Sequence, residues 1–177
     1  MSFVNQGRIA EGMETFRAAL AFDPSYEAAR QTQVALLLEA KRMDEAASLL
    51  QEGISLNPAN AAFVMLLARI MVERNDVGGG LALLQQHAKA AVDNADYHAF
   101  AAALYQRLGR HGEAVNEYGA ALRVAPASGV WWVGLGISQE AQQRAAKAAE
   151  SFRRAKETGT LSTELAGFVD RRLKAMR

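Results

Sequence analysis

Residues 129–162 read GVWWVGLGISQEAQQRAAKAAESFRRAKETGTLS, and this stretch sets a register that the rest of the chain follows. Within it Ala148, Phe152 and Ala155 stand four and three residues apart, the spacing of one helical face. The same places 34 residues earlier hold Ala114, Tyr118 and Ala121, and earlier still Gly80, Leu84 and His87, then Ala46, Leu50 and Gly53, then Gly12, Phe16 and Ala19. The three prolines keep the same step: Pro24 and Pro58 are 34 residues apart, and Pro126 lies 68 beyond Pro58. Small residues let two helix axes approach closely, and the large residue between them fills the space beside the contact. A fixed period in this range means stacked structural repeats.

The pattern resembles that of tetratricopeptide repeats. Trp132, Leu135, Gly136, Ala148, Phe152 and Ala155 carry the fullest form of the signature, and Tyr105, Ala114, Tyr118, Ala121 and Pro126 a second. The resemblance implies an all-α chain, an α-α superhelix or solenoid of antiparallel helix pairs. It would form a single domain over 1–177, with a partial repeat at 1–26 and full repeats at 27–60, 61–94, 95–128 and 129–162. A last helix, 163–177, would cap the stack. Phe3 falls on an aromatic place of a first helix that is mostly missing, so the chain is expected to be a piece of a longer protein cut inside a repeat.

Turns within the pairs are expected at Lys41-Arg42, Asn75-Asp76, Arg110-His111-Gly112 and Gln143-Arg144. Proline marks the joints between pairs, and Ser128 is placed as the N-cap of the helix that bears the tryptophans. Ser162 or Thr163 caps the final helix, whose apolar stripe is Leu165, Phe168, Val169, Leu173 and Met176. The third repeat departs from the pattern: it has Gly78-Gly79-Gly80, His87 in the small column and Val92 in the proline column. Interior glycines weaken a helix, so this repeat is expected to be the weakest of the stack.

Half the residues are hydrophobic and the net charge is +1, which supports a packed core and argues against a dedicated nucleic-acid binder. With no cysteine there is no disulfide framework and no thiolate metal site. No signal peptide is visible at the N-terminus, and no apolar run reaches the roughly 20 residues that span a bilayer. Direct membrane insertion by this segment is therefore not expected. The glycine triplet lacks the lysine and Ser/Thr of a phosphate loop, and Gly134-Leu135-Gly136 lacks the third glycine of a dinucleotide fingerprint. His87, His98 and His111 have no metal-ligand spacing, and no Ser/His/Asp set can be assembled. No metal, cofactor or catalytic residue is expected.

The inner groove of such a stack is lined by first helices. In the family register its candidates are Gln31, Ala35 and Leu38, then Met65, Arg69 and Val72, then Ala99, Ala103 and Gln106, then Val133, Ile137 and Glu140. The lysine and asparagine clamp of the repeat proteins that grip chaperone C-termini is absent. A mostly apolar, alanine-rich groove suits an amphipathic helix or an extended apolar peptide, unless the chain's own C-terminal helix fills it. Trp132 belongs to the repeat signature and packs between helices. Trp131, about 100° round the helix, either plugs a seam or serves as a binding anchor.

A narrower resemblance lies in the C-terminal third. Trp131-Trp132-Val-Gly-Leu-Gly-Ile-Ser-Gln-Glu140, Ala148 to Ala155, Gly159-Thr-Leu-Ser162 and Phe168-Val-Asp-Arg-Arg-Leu173 are similar to the end of MSHA-type pilus biogenesis proteins of the MshN kind. Ala103-Leu-Tyr-Gln-Arg-Leu-Gly-Arg-His111 resembles the same family one repeat earlier. That resemblance implies a membrane anchor upstream and a periplasmic place at the inner membrane. The partner would be a pilus or secretion-assembly subunit. The function expected is a non-catalytic protein-interaction scaffold, the alternative being a general bacterial adaptor in the cytoplasm. An enzyme would need chemistry from a preceding segment. The sequence does not fix the oligomeric state.

Overall fold

The computed structural model describes residues 3–176, with side-chain surroundings from residue 11 onward. The described residues form α-helices and no strand. They are α1 (Phe3–Phe22), α2 (Glu27–Glu39), α3 (Met43–Leu56), α4 (Ala61–Glu73), α5 (Val77–His87), α6 (Ala95–Arg107), α7 (His111–Val124), α8 (Gly129–Ala141), α9 (Ala145–Glu157) and α10 (Thr163–Ala175). A 3₁₀ turn, Ala88–Ala91, follows α5. The chain divides into two compact units, Met1–Ala90 and Ala91–Arg177. In the first, α2 packs on α1 and α3, and α4 on α3 and α5; in the second, α6 to α10 pack each on the next.

Four turns reverse the chain inside the pairs, each through one residue of positive φ: Lys41 (60°), Asn75 (67°), Gly109 (71°) and Gln143 (60°). Their 34-residue spacing shows that the left-handed residue is part of the repeat. Only Gly109 takes that conformation without a steric cost. This turn corrects the expected Arg110-His111-Gly112: the reversal is centred on Gly109, and α7 already starts at His111. Chain 3–22 is one continuous helix rather than a broken first helix and a second one. The Phe3 side chain lies outside the described surroundings.

Asn60, Asp76, Asn94 and Ser162 cap α4, α5, α6 and α10 through side-chain oxygens that accept from Phe63, Gly79, Tyr97 and Leu165 amides. Ser128 does not cap α8, contrary to expectation. The Gly129 amide there donates instead to Thr160 Oγ1 at 3.0 Å, from the turn after α9. The small–large–small columns are core: Ala46, Leu50, Leu84, Ala114, Ala121, Ala148, Phe152 and Ala155 are all essentially inaccessible. Val169 of α10 is fully buried beside Val133, Ala148, Phe152 and Ala155. Phe168 meets Phe152 edge-on, with ring centroids 6.3 Å apart.

One hydrogen bond recurs at the joints. Arg30 donates to the Pro24 carbonyl at 2.9 Å, and Trp132 Nε1 donates to the Pro126 carbonyl at 2.8 Å. His98 Nε2 lies 2.9 Å from the Val92 carbonyl, which can only accept. In each case the donor follows the acceptor by six residues and opens a first helix. The corresponding residue of α4 is Val64, which has no donor. There His87, reaching across from α5, supplies it: Nδ1 is 2.9 Å from the Pro58 carbonyl.

Bulk and donor have changed places together. Opposite Arg30 stands Gly53, where a Cβ would come within 2.5 Å of Arg30 Cδ; opposite Val64 stands the large His87. The histidine in the small column is thus a compensation for the valine. His87→Ala should cost about 1–2 kcal/mol in urea unfolding, the value of a lost hydrogen bond plus the space left behind. Adding Val64→His should recover most of that. Unchanged stability of the single variant would show that the bond contributes nothing.

Candidate functional site

The first-helix face expected to bind a partner has different character in the two units. In the first unit, Gln31 and Ala35 of α2 and Arg69 of α4 are exposed, and Leu38, Met65 and Val72 are half-buried. The six stand at three- and four-residue steps on their helices, so each helix presents them on one side. The result is an apolar strip with one cation on it. In the second unit most of the corresponding residues are already engaged. Ala99 is buried and Ala103 half-buried on α6.

Gln106 is a structural clamp rather than an open contact. Its Nε2 donates to the Gly134 carbonyl at 3.1 Å and to Ser138 Oγ at 3.0 Å, and its Oε1 accepts from Tyr118 at 3.3 Å. The amide therefore uses both its N–H groups and its oxygen inside the fold. Val133 is 3% exposed and belongs to the cluster beneath α10. Ile137 packs against that cluster with Leu165, Phe168, Leu173 and Met176. Glu140 is paired with Arg172 of α10, whose Nε donates at 3.0 Å. These α8 positions are covered by the last helix, because its apolar stripe needs an apolar surface on which to lie. Val133 is therefore not an open groove contact, and the half-buried Gln106, Ile137 and Glu140 are engaged by other parts of the fold.

Both tryptophans are half-buried. Trp131 packs against Ala102, Tyr118, Leu122 and Leu135 and so plugs a seam between helices. Trp132 touches both clusters of the second unit, and Arg154 lies over its ring at 5.9 Å. A Cβ at Gly136 would come within 2.6 Å of the Phe152 ring, and Gly134 is equally tight against Tyr118. The Trp-Trp-x-Gly-x-Gly motif is therefore a packing unit. Among the described residues no cluster of His, Asp and Glu could hold a metal, and no helix is long and apolar enough to cross a membrane.

Two tetratricopeptide repeat family models match residues 37–104 and 100–161. Residues 37–161 are built of tetratricopeptide repeats. Solved structures of the same fold include MamA, with a TM-score of 0.75 at 16% identity over 90% of this chain and 95% of that one. A second MamA structure, labelled AMB-1, scores 0.70 at 20% identity over 88% and 92%. YrrB, described as a TPR protein with an unusual peptide-binding site, scores 0.75 at 15% identity over 95% and 86%. At these identities the likeness is one of fold. No curated protein matches the chain in sequence.

One polar residue of the site region escaped the sequence reading. Gln33 stands where the later repeats have Leu67, Ala101 and Leu135, and that break in an apolar column was the available signal.

Burial raises the Tyr118 phenol to about 12, and it raises Tyr97 to about 12 as well, with Glu117 adding to the effect. A raised folded-state value means that the folded chain keeps a proton the unfolded chain loses above about pH 10. Stability is then fully present below pH 10 and falls as pH rises toward about 12. Tyr118→Phe should make that alkaline fall shallower in chemical unfolding between pH 9 and about 12. An identical slope in both proteins would show that Tyr118 does not contribute to it.

Proposed function

We propose that this tetratricopeptide-repeat chain is a non-catalytic scaffold that binds a protein or peptide on the first-helix face of its first unit. The observation that carries the reading is the open strip on α2 and α4: Gln31, Ala35, Leu38, Met65, Arg69 and Val72 remain at the surface while their counterparts on α8 are covered. A largely apolar strip of this kind takes an amphipathic helix or an extended apolar segment. YrrB, of the same fold, is a peptide binder by its description, which supports a peptide ligand here.

Within that reading the partner is a subunit of a type IV, MSHA-like pilus or related secretion assembly, met at the periplasmic face of the inner membrane. The support is the likeness of 131–173 to pilus biogenesis proteins of the MshN kind. The test is capture from an extract of the source organism by the purified chain and by its Met65→Glu variant. The reading predicts pilus or secretion-assembly subunits on the wild-type chain and at least a roughly tenfold loss on the variant, as for truncating an interface anchor. Enrichment of cytoplasmic soluble proteins instead would move the chain to a general adaptor. Equal capture by both chains would remove the α2–α4 face.

A further inference from the structure

Of the joints before α2, α4, α6 and α8, the third has Val92 where the others have a proline, and the 3₁₀ turn Ala88–Ala91 leads into it. A proline ring fixes φ and a valine does not, so this joint leans more on the bond to its carbonyl. The donors at the joints also differ in kind. Arg30 and Trp132 keep their N–H groups at any ordinary pH, and His87 needs one proton, on Nδ1, for its bond to Pro58. His98 differs because acceptors flank both ring nitrogens. Nε2 lies 2.9 Å from the Val92 carbonyl and Nδ1 lies 2.7 Å from Glu117 Oε2. A carbonyl and an ionised carboxylate only accept, so the two bonds coexist only when both nitrogens carry a proton. The ring that fits this geometry is the imidazolium.

Glu117 is the charged group that α7 brings to the ring. Elsewhere on α7, Glu113 is held by Arg110, and burial pushes the Tyr118 phenol up to about 12. Among the described residues neither His111 nor Arg123 pairs with Glu117. Helix α8 also packs on α6, and its one ionisable residue, Glu140, is taken by Arg172 of α10. On α6 itself Tyr97 feels the Glu117 carboxylate, and its phenol is pushed up to about 12, so it keeps its proton wherever a histidine titrates. Asp93 and Asp96 precede His98 and are exposed. A neutral ring has one N–H to give, so either the carbonyl at 2.9 Å or the carboxylate at 2.7 Å then faces a bare lone pair and must move off. The His98 and Glu117 side chains are 18% and 31% exposed, so water does not freely replace the lost bond.

We propose that His98 is a proton-operated clasp: as the imidazolium it ties the Val92 joint to α7 through Glu117, and loss of one proton releases one side of the tie. It does not depend on the peptide face proposed on α2 and α4. Glu117→Gln tests it, because a glutamine accepts from the protonated ring through Oε1 and donates to the neutral ring through Nε2. The unfolding constant would be measured in urea at about pH 5.5 and about pH 8.5, on either side of the ordinary histidine titration. Stability that needs both protons is present at the lower pH and is lost as pH rises through the titration of the ring. Across that span the unfolding constant of the wild-type chain is expected to rise about tenfold more than that of Glu117→Gln, the value of one bond to a charged group. Should Glu117→Gln not fold, His98→Arg, which donates at every pH, takes its place. Magnetic resonance on the wild-type chain would follow the ring nitrogens of His98 together with the Val92 carbonyl carbon and the Glu117 carboxylate carbon. At least one of the two carbon signals is expected to move with the ring as it titrates. Equal pH dependence in wild type and variant overturns the proposal. So does a ring that loses its proton while neither carbon signal moves, or one already neutral at the lower pH.

Discussion

Everything in this chain hangs on how one helix pair is joined to the next, and the carbonyl at the joint is the fixed point. It sits where the chain leaves one pair and enters another, so it has no helical partner of its own. Arg30, His98 and Trp132 supply the missing donor from the first turn of the following helix, and His87 supplies it from the second helix of its pair. These side chains share little except an N–H at the end of a bulky arm. What the repeat needs is that arm and an empty place opposite it, which Gly53, Ala121 and Ala155 provide and Val64 provides in the exchanged pair.

That constraint also decides where function can reside. A residue that locks a joint is not open to a partner, and Gln106 is so fully used by Gly134, Ser138 and Tyr118 that its place on the expected groove is occupied by the fold itself. The last helix removes Val133 in the same way, and Arg172 engages Glu140. Among the described residues no such cover is seen on α2 and α4, and the proposed binding face lies there.

The fold was legible because it is written in columns. Ala114, Tyr118 and Ala121 predicted close helix contacts, and those residues are core. The turn expected at Arg110-His111-Gly112 is centred on Gly109 instead, because position in the repeat governs the reversal. Ser128 precedes α8 without capping it, and the contact made there, from the Gly129 amide to Thr160, joins residues 31 apart and could not be read from the local sequence. The site was less legible. Facing positions can be counted from a register, but whether a last helix covers them depends on contacts between residues 30 or more apart, such as Glu140 with Arg172. The exchange between Val64 and His87 was equally hidden, since each looks like a lone exception until their shared carbonyl is seen.

The most direct test of the account is the accessibility of the first-helix faces, and a chain without native cysteine is suited to it. Single cysteines in place of Gln31, Ala35, Ala99 and Val133 would be timed against a thiol reagent in the native state. The account predicts rates near those of the unfolded chain at the first two positions and rates roughly a hundredfold or more slower at the last two, where reaction must await local opening. Comparable rates at all four positions, or faster reaction at Val133 than at Ala35, would contradict it.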